Sequence, residues 1–208
     1  QGSRPVSTTL TISPLTRIEG HLGIHAETEP VNGDSGAKYR VKAARCEGEM
    51  FRGLEAILVG RDPLDAQQIV QRICGVCPIA HGIASVRAQE QAYKIELSKN
   101  ARLLQNLIFA ANYLHSHVLH FYHLAALDFV DVTSLLSYSG RDRVLRNLKA
   151  WAAEALARKD LFPAAPLLPR FEGDYVKDAD RNTTLLAHYA EALDVRRACD
   201  EMGAVFGA

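Results

Sequence analysis

Two thiols and an imidazole stand close together in Arg72-Ile73-Cys74-Gly75-Val76-Cys77-Pro78-Ile79-Ala80-His81. Thiols at this spacing support three kinds of chemistry: a redox disulfide, half of a zinc site, or soft thiolate ligation of a redox metal centre. A thioredoxin-type pair sits between a strand and a helix of a βαβ unit, whereas this pair follows a helical segment, Asp65 to Arg72. A structural zinc site takes four ligands, usually as two spaced pairs. Here Cys46 and Cys199 are isolated, and His117, His120 and His123, at i, i+3, i+6, lie on a long apolar helix. In the third reading, Pro78 opens a helix whose N-terminal N–H groups favour thiolate over thiol. Gly75 permits close backbone approach, and Val76, Ile79 and Ala80 make the wall apolar. His81 falls one helical turn after Cys77, where its ring can donate to the sulfur; taken alone it also reads as a satisfied core histidine.

The elements around this stretch change character along the chain. Thr9–Ser13, Leu22–Ala26 and Tyr39–Ala43 alternate as strands, and the turn cluster Val31–Gly36 joins the last two into a small antiparallel sheet. From Gly53 the period is helical. Leu54–Val59 is a short helix stopped by Gly60, and Asp62 caps a restart with Pro63 at its first position. A helix from Pro78 to about Tyr93 follows the cysteines. Ser98 then caps a run from Lys99 to Ala126 with neither proline nor glycine inside, about 28 residues or roughly 40 Å of helix. Leu103, Leu107, Tyr113, Leu114, Val118 and Phe121 spread over most of its circumference, the pattern of a buried central helix. Asp142 to about Asp160 is amphipathic, Leu161–Pro169 is an apolar connector, and Asp180–Phe206 forms the last helix. The fold class expected is mainly α with a small N-terminal antiparallel sheet. Residues 1–50 form the β-rich segment and 51–208 the helical body of the same domain. The chain stops in mid-pattern at Ala208, which reads as a cut.

Composition narrows the function. Lys+Arg and Asp+Glu balance at 24 each, so there is no basic stripe for nucleic acid. Four cysteines in 208 residues are too few for a disulfide scaffold. Gln1–Thr16 shows no secretory-signal pattern, and no apolar run approaches the ~20 residues of a membrane span.

Five stretches together resemble the N-terminal half of the large, catalytic subunit of nickel–iron hydrogenases. They are Leu15-Thr16-Arg17-Ile18-Glu19-Gly20-His21-Leu22, Phe51-Arg52-Gly53-Leu54-Glu55, Gly60-Arg61-Asp62-Pro63, Arg72-Ile73-Cys74-Gly75-Val76-Cys77 and His120-Phe121-Tyr122-His123. Their order and spacing match as well, from about Leu10 onward. The resemblance implies that fold, with the long helix at its centre, and reversible heterolytic cleavage of H2. It makes Cys74 a terminal nickel thiolate and Cys77 a thiolate bridging nickel and iron. His81 becomes the histidine bonded to the bridging sulfur, and the iron carries carbon monoxide and cyanide. Glu19 matches the glutamate that relays protons. A glutamate beside apolar strands has its pKa raised towards neutrality, which suits a relay, although without the motif Glu19 reads as a strand-end carboxylate paired with Arg17. Glu55 matches a ligand of a magnesium (or iron) site and otherwise reads as a solvated helix carboxylate. Cys46 and Cys199 match no ligand and read as buried small hydrophobes.

Two departures accompany the likeness. Ser116 stands where many members carry an aspartate beside the metals, and with Leu124-Ala125-Ala126-Leu127-Asp128 this leans towards the nickel–iron–selenium branch. The second Cys-x-x-Cys pair is absent from these 208 residues. The resemblance therefore implies a further segment, on the same or a separate chain, that supplies it. It also implies a small subunit carrying the iron–sulfur clusters, and a periplasmic or membrane-associated location reached through that subunit, with the cytoplasm as the alternative. Competing readings are a metal-free quinone-site or structural subunit of the complex I type, which lacks the cysteine pair, and a zinc-stabilised interaction module.

Overall fold

The computed structural model describes residues 8–31, 38–159, 167–168 and 172–206. The chain divides into two compact units, Gln1–Ile57 and Leu58–Ala208.

The first unit is built on three antiparallel strands, β1 (Thr8–Ile12), β2 (Leu22–Val31) and β3 (Lys38–Gly48), with β2 in the middle. Thr8 pairs with Thr28 and Ile12 with Ile24; on the other side Leu22 pairs with Gly48 and Val31 with Lys38. A bulge at Glu27/Thr28 shifts the second ladder. Polar cross-strand pairs hold both sides of β2: His25 Nε2 lies 3.0 Å from Glu47 Oε2 and Arg40 is bonded to Glu29 towards β3, and the Thr8 and Thr28 hydroxyls meet at 3.0 Å towards β1. Such pairs contribute roughly 0.2–1 kcal/mol each, and they leave β1 exposed along its whole length. The turn cluster expected between β2 and β3 lies largely outside the described residues. After β3, α1 (Leu54–Leu58) begins beyond Gly53, whose φ of 68° suits glycine, and Gly60, at φ 77°, follows its end.

The second unit is helical. Asp62 caps a 3₁₀ turn, Pro63–Asp65, by accepting the Leu64 N–H, as the Asp-Pro pair predicts. Then come α2 (Ala66–Val70), a 3₁₀ turn over Gln71–Ile73, α3 (Pro78–Ala92) and α4 (Lys99–Val118). Ser98 caps α4 by accepting the Ala101 N–H. The long run does not stay α-helical to Ala126: Leu119–Leu124 form a π turn and Ala125–Asp128 a 3₁₀ turn. Asp142 caps α5 (Arg143–Arg158), and Asp178 caps α6 (Ala179–Val205). The connector expected at Leu161–Pro169 falls mostly outside the described residues, although Leu168 is buried. No described helix is long and apolar enough to cross a membrane.

The core of this unit gathers Val132, Leu135, Leu145, Ala152 and Leu186 from α5, α6 and the 3₁₀ segment Val132–Ser137, joined by Leu168 from between α5 and α6. Asn182, 2% exposed, ties it together. Its Oδ1 accepts the Asp131 N–H at 3.0 Å, and its Nδ2 donates to the Val176 carbonyl at 2.7 Å. α4 packs along α6, and its buried residues are Ala111, Asn112 and His115, the last of them bonded to Arg196 of α6. Small residues on α6 (Ala192, Cys199 and Gly203) are buried and permit close approach. The described elements bury α4 on one side: Leu103, Leu104, Leu107, Tyr113 and Leu114 are each about half exposed. The described elements cover the face turned to α6 and leave these outside it.

Candidate metal centre

The cysteine loop is positioned by backbone geometry within ten residues. The Gln71–Ile73 turn delivers Cys74 in an extended conformation, φ −141° and ψ 127°. Cys77 is the N-cap of α3, with Pro78 in the first turn. Its carbonyl accepts from Ala80 N–H at 3.1 Å and His81 N–H at 3.4 Å, so α3 begins on the cysteine itself. The Cys77 N–H donates to Cys74 Sγ at 3.3 Å. That bond fixes the first sulfur towards the helix entrance and uses one of the backbone donors that a helix start leaves unpaired. Gly82, buried in α3, faces Gln71: a Cβ there would meet the Gln71 amide nitrogen at 2.8 Å. The glycine lets the turn carrying Cys74 lie against α3. A Cβ built on Gly75 meets nothing within 4 Å among the described residues.

Neither Cys74 nor Cys77 forms a disulfide, and both are half-buried. His81 is half-buried one turn along α3. Loop and helix thus bring Cys74, Cys77 and His81 to one junction. Two soft sulfur donors on a loop stiffened by an N–H···S bond fit half of a thiolate-held nickel–iron site. They do not complete one: among the described residues no group of three or more His, Cys, Asp or Glu is arranged to hold a metal.

The two predicted carboxylates belong to the first unit. Glu19 lies in the loop between β1 and β2, where Leu15 N–H donates to Leu22 O at 2.8 Å and Arg17 and Gly20 adopt positive φ of 62° and 85°. It is exposed, a correction to the apolar flank expected from its neighbours: the loop leaves the sheet before Glu19 and returns after it. Glu55 is exposed in the first turn of α1. Ser116 is half-buried on α4. Cys199 is buried as expected, and burial with the nearby Asp200 carboxylate pushes its thiol pKa up. Cys46 is not buried. It is exposed on β3 opposite Ile24, because the sheet there has no covering layer among the described residues.

Sequence reasoning missed a polar cluster between α4 and α6. Arg196 donates through Nε to His115 Nε2 at 3.3 Å and through an Nη to His123 Nδ1 at 3.2 Å. His123 Nε2 lies 3.0 Å from the Tyr189 carbonyl, and its ring meets that of Tyr189 edge-on. Burial lowers the pKa of His115; Asp200 opposes the shift and Arg196 adds to it. Burial also lowers that of His123, against its bond to the Tyr189 carbonyl and with help from Arg196 and His115. Burial raises that of Tyr189, which Arg196 offsets in part. The signal available in the sequence was two histidines eight apart with no glycine or proline between them, which does not announce a π turn.

The family model described as nickel-dependent hydrogenase matches residues 52–208. The periplasmic [NiFeSe] hydrogenase large subunit of Desulfomicrobium baculatum is 44% identical over 207 residues, covering 95% of this chain and 33% of that protein. The hydrogenase-2 large chain of Escherichia coli (strain K12) is 39% identical over 217 residues, covering 97% and 37% respectively. Among solved structures, the Ni-Fe-Se hydrogenase from D. vulgaris Hildenborough in the reduced state superposes with a TM-score of 0.65 at 45% identity, over 97% of this chain and 34% of that one. The chain spans about a third of the length of the curated relatives it matches.

Proposed function

This chain belongs to the nickel-dependent hydrogenase family, and from that premise we propose that it acts in the large subunit of a hydrogenase, holding half of a nickel–iron centre that cleaves H2 reversibly into protons and electrons. The observation that carries the reading is the Cys74–Cys77 junction: two half-buried cysteines outside any disulfide at the entrance of α3, one of them already oriented by a backbone N–H. Cys74 would hold nickel as a terminal ligand, and Cys77 would bridge nickel to an iron that carries carbon monoxide and cyanide. When bound, the centre polarises H2 and takes up its electrons.

The chain's own groups handle the rest. Cys77, as N-cap, keeps its sulfur at the positive end of α3. His81, one turn on, would donate from its ring to that sulfur and stabilise negative charge there. Glu19 would accept the proton at a carboxylate oxygen and pass it to water; its exposure suits the outward step. Glu55 would contribute an oxygen ligand to a magnesium (or iron) site, where hard donors and waters suit the ion. A second Cys-x-x-Cys pair, from the same or another chain, would complete the thiolate set. Electrons would leave through iron–sulfur clusters on a small subunit. A periplasmic site of action is in line with the D. baculatum relative, itself periplasmic. Membership of the family does not favour the metal-free or zinc readings.

Metal analysis by mass spectrometry, together with H2/D2O exchange, tests the proposal. The enzyme should contain nickel, together with iron in excess of it because the clusters of the small subunit add their own, and should exchange; Cys77→Ser should lose both nickel and exchange. Wild-type nickel content and turnover in that variant would defeat the assignment.

A further inference from the structure

The cluster between α4 and α6 uses none of the residues of the cysteine loop, and its geometry depends on the π turn. Residues eight apart sit about 80° from one another around an α-helix. A π turn takes about one more residue per turn, and such turns recur at functional sites. Placed at Leu119–Leu124, it brings His123 round towards the face of His115. One guanidinium can then reach both rings.

Arginine has donors and no acceptor, so both ring nitrogens facing Arg196 must accept. The proton of His123 is therefore on Nε2, which donates to the Tyr189 carbonyl. The proton of His115 is on Nδ1, which is buried and has no partner among the described residues. Both rings are neutral while these bonds stand.

We propose that Arg196, His115 and His123 form a proton-operated latch that fastens the π turn to α6 while both rings are neutral and releases it when either is protonated. A proton on His123 Nδ1 removes the acceptor and sets two cations about 3 Å apart. A proton on His115 Nε2 does the same, but there a second partner waits: Asp200 Oδ1 is 3.7 Å away. The protonated ring can exchange the guanidinium for the carboxylate, which gives the junction two alternative arrangements. The other titratable groups described here include Tyr189, His188 and Cys199 of α6 and His120 and Tyr122 of the π turn, the Tyr122 hydroxyl being 3.4 Å from His188 Nδ1. From α3, Arg87 is directed to Asn106 and Phe109, earlier on α4.

The sign follows from the downward shifts of both histidines. In the released state each ring titrates near its ordinary value of about 6.5, and in the latched state lower. The latch is therefore fully closed above about pH 6.5 and weakens as pH falls below it through the depressed values.

Hydrogen exchange of the complete enzyme, followed by mass spectrometry between pH 8 and pH 5, tests the latch. Peptides covering 119–128 are compared with peptides of α5 as an internal reference for the pH dependence of the chemical step. The relative opening of 119–128 should be flat above pH 7 and rise below pH 6.5 by up to about tenfold per pH unit for each histidine. Glutamine can accept from Arg196 and donate to the Tyr189 carbonyl but does not titrate. The double variant His115→Gln with His123→Gln should therefore keep its protection and lose the pH dependence, while His117→Gln with His120→Gln should retain both. A flat wild-type profile, or a double variant that keeps the acid-induced opening, overturns the proposal. If the double variant fails to fold, His123→Gln alone should reduce the slope to the share of His115, at most about tenfold per pH unit, and an unchanged slope there is equally fatal.

Discussion

Replacing Cys74 by serine and by alanine separates what its sulfur does for the loop from what it does for a metal. The sulfur accepts the Cys77 N–H at 3.3 Å in a half-buried setting. Alanine removes the acceptor and leaves that N–H to whatever water reaches it. The net worth of one such bond is about 0.5–1.5 kcal/mol, and a sulfur acceptor belongs near the lower end. About 1 kcal/mol corresponds to roughly a fivefold increase in local opening. Serine keeps an acceptor, and a loop closure of a few tenths of an ångström brings its oxygen to an ordinary N–H···O distance of about 3 Å. It should therefore stay within about 0.5 kcal/mol of the parent. Both variants should lose nickel, because an alcohol is a harder and far less acidic ligand than a thiol and a methyl group is no ligand at all. The assay has two parts. Hydrogen exchange of a peptide spanning 71–82 is measured on the metal-free forms, since bound metal would stabilise the loop by mass action, and nickel is counted after reconstitution. Equal exchange in the alanine and serine variants would refute the orienting role given to the N–H···S bond. Nickel retained by either would refute the ligand assignment.

Glu19→Gln keeps shape and hydrogen-bonding capacity but cannot shuttle a proton; metal content should be unchanged while H2 oxidation and solvent exchange of H2 collapse together, and exchange at the wild-type rate would remove Glu19 from the pathway. Asn182→Ala strands the Asp131 N–H and the Val176 carbonyl inside the helical core, a cost of about 2–5 kcal/mol for two buried unpaired groups, read as a lowered urea midpoint; a loss under about 1 kcal/mol would show that water replaces both bonds. Thiol mapping with iodoacetamide at pH 8 should label Cys46, exposed on β3, well before Cys199, which is buried and whose pKa is pushed up; equal rates would contradict the packing of α6 against α4.

The features legible in the sequence are those that ten or so neighbouring residues settle among themselves. Ser98 and Asp142 cap their helices because a short side chain reaches backbone N–H groups two or three residues on. Asp62-Pro63 begins a turn for the same local reason, though the turn is 3₁₀ before it is α. The cysteine loop is of this kind: Cys74, Cys77 and Pro78 carry their own scaffold, so the spacing alone located a candidate site. What the sequence hid depends on partners far along the chain. The run from Lys99 to Ala126 has helix-forming residues throughout, yet Arg196, more than seventy positions later, meets it across a π turn at His115 and His123. Glu19 follows alternating apolar residues but lies in a loop that carries it out to solvent.

The same distinction bears on the chemistry. A thiolate pair three residues apart is fixed by backbone conformation, and any fold that starts a helix at Cys77 presents both sulfurs on one side of the helix entrance. A complete nickel–iron donor set needs further thiolates, a proton acceptor and an electron exit, and no local rule ties those to the loop. Of these, the chain would contribute the pair, with its N–H···S bond, and a solvent-facing glutamate in the other unit. The pair can therefore be formed before any metal arrives, because the bond that orients Cys74 is made by the backbone of Cys77 and not by a ligand. Metal binding would then cost little ordering of these two side chains. Whatever supplies the remaining sulfurs meets a half-site whose geometry α3 has already set.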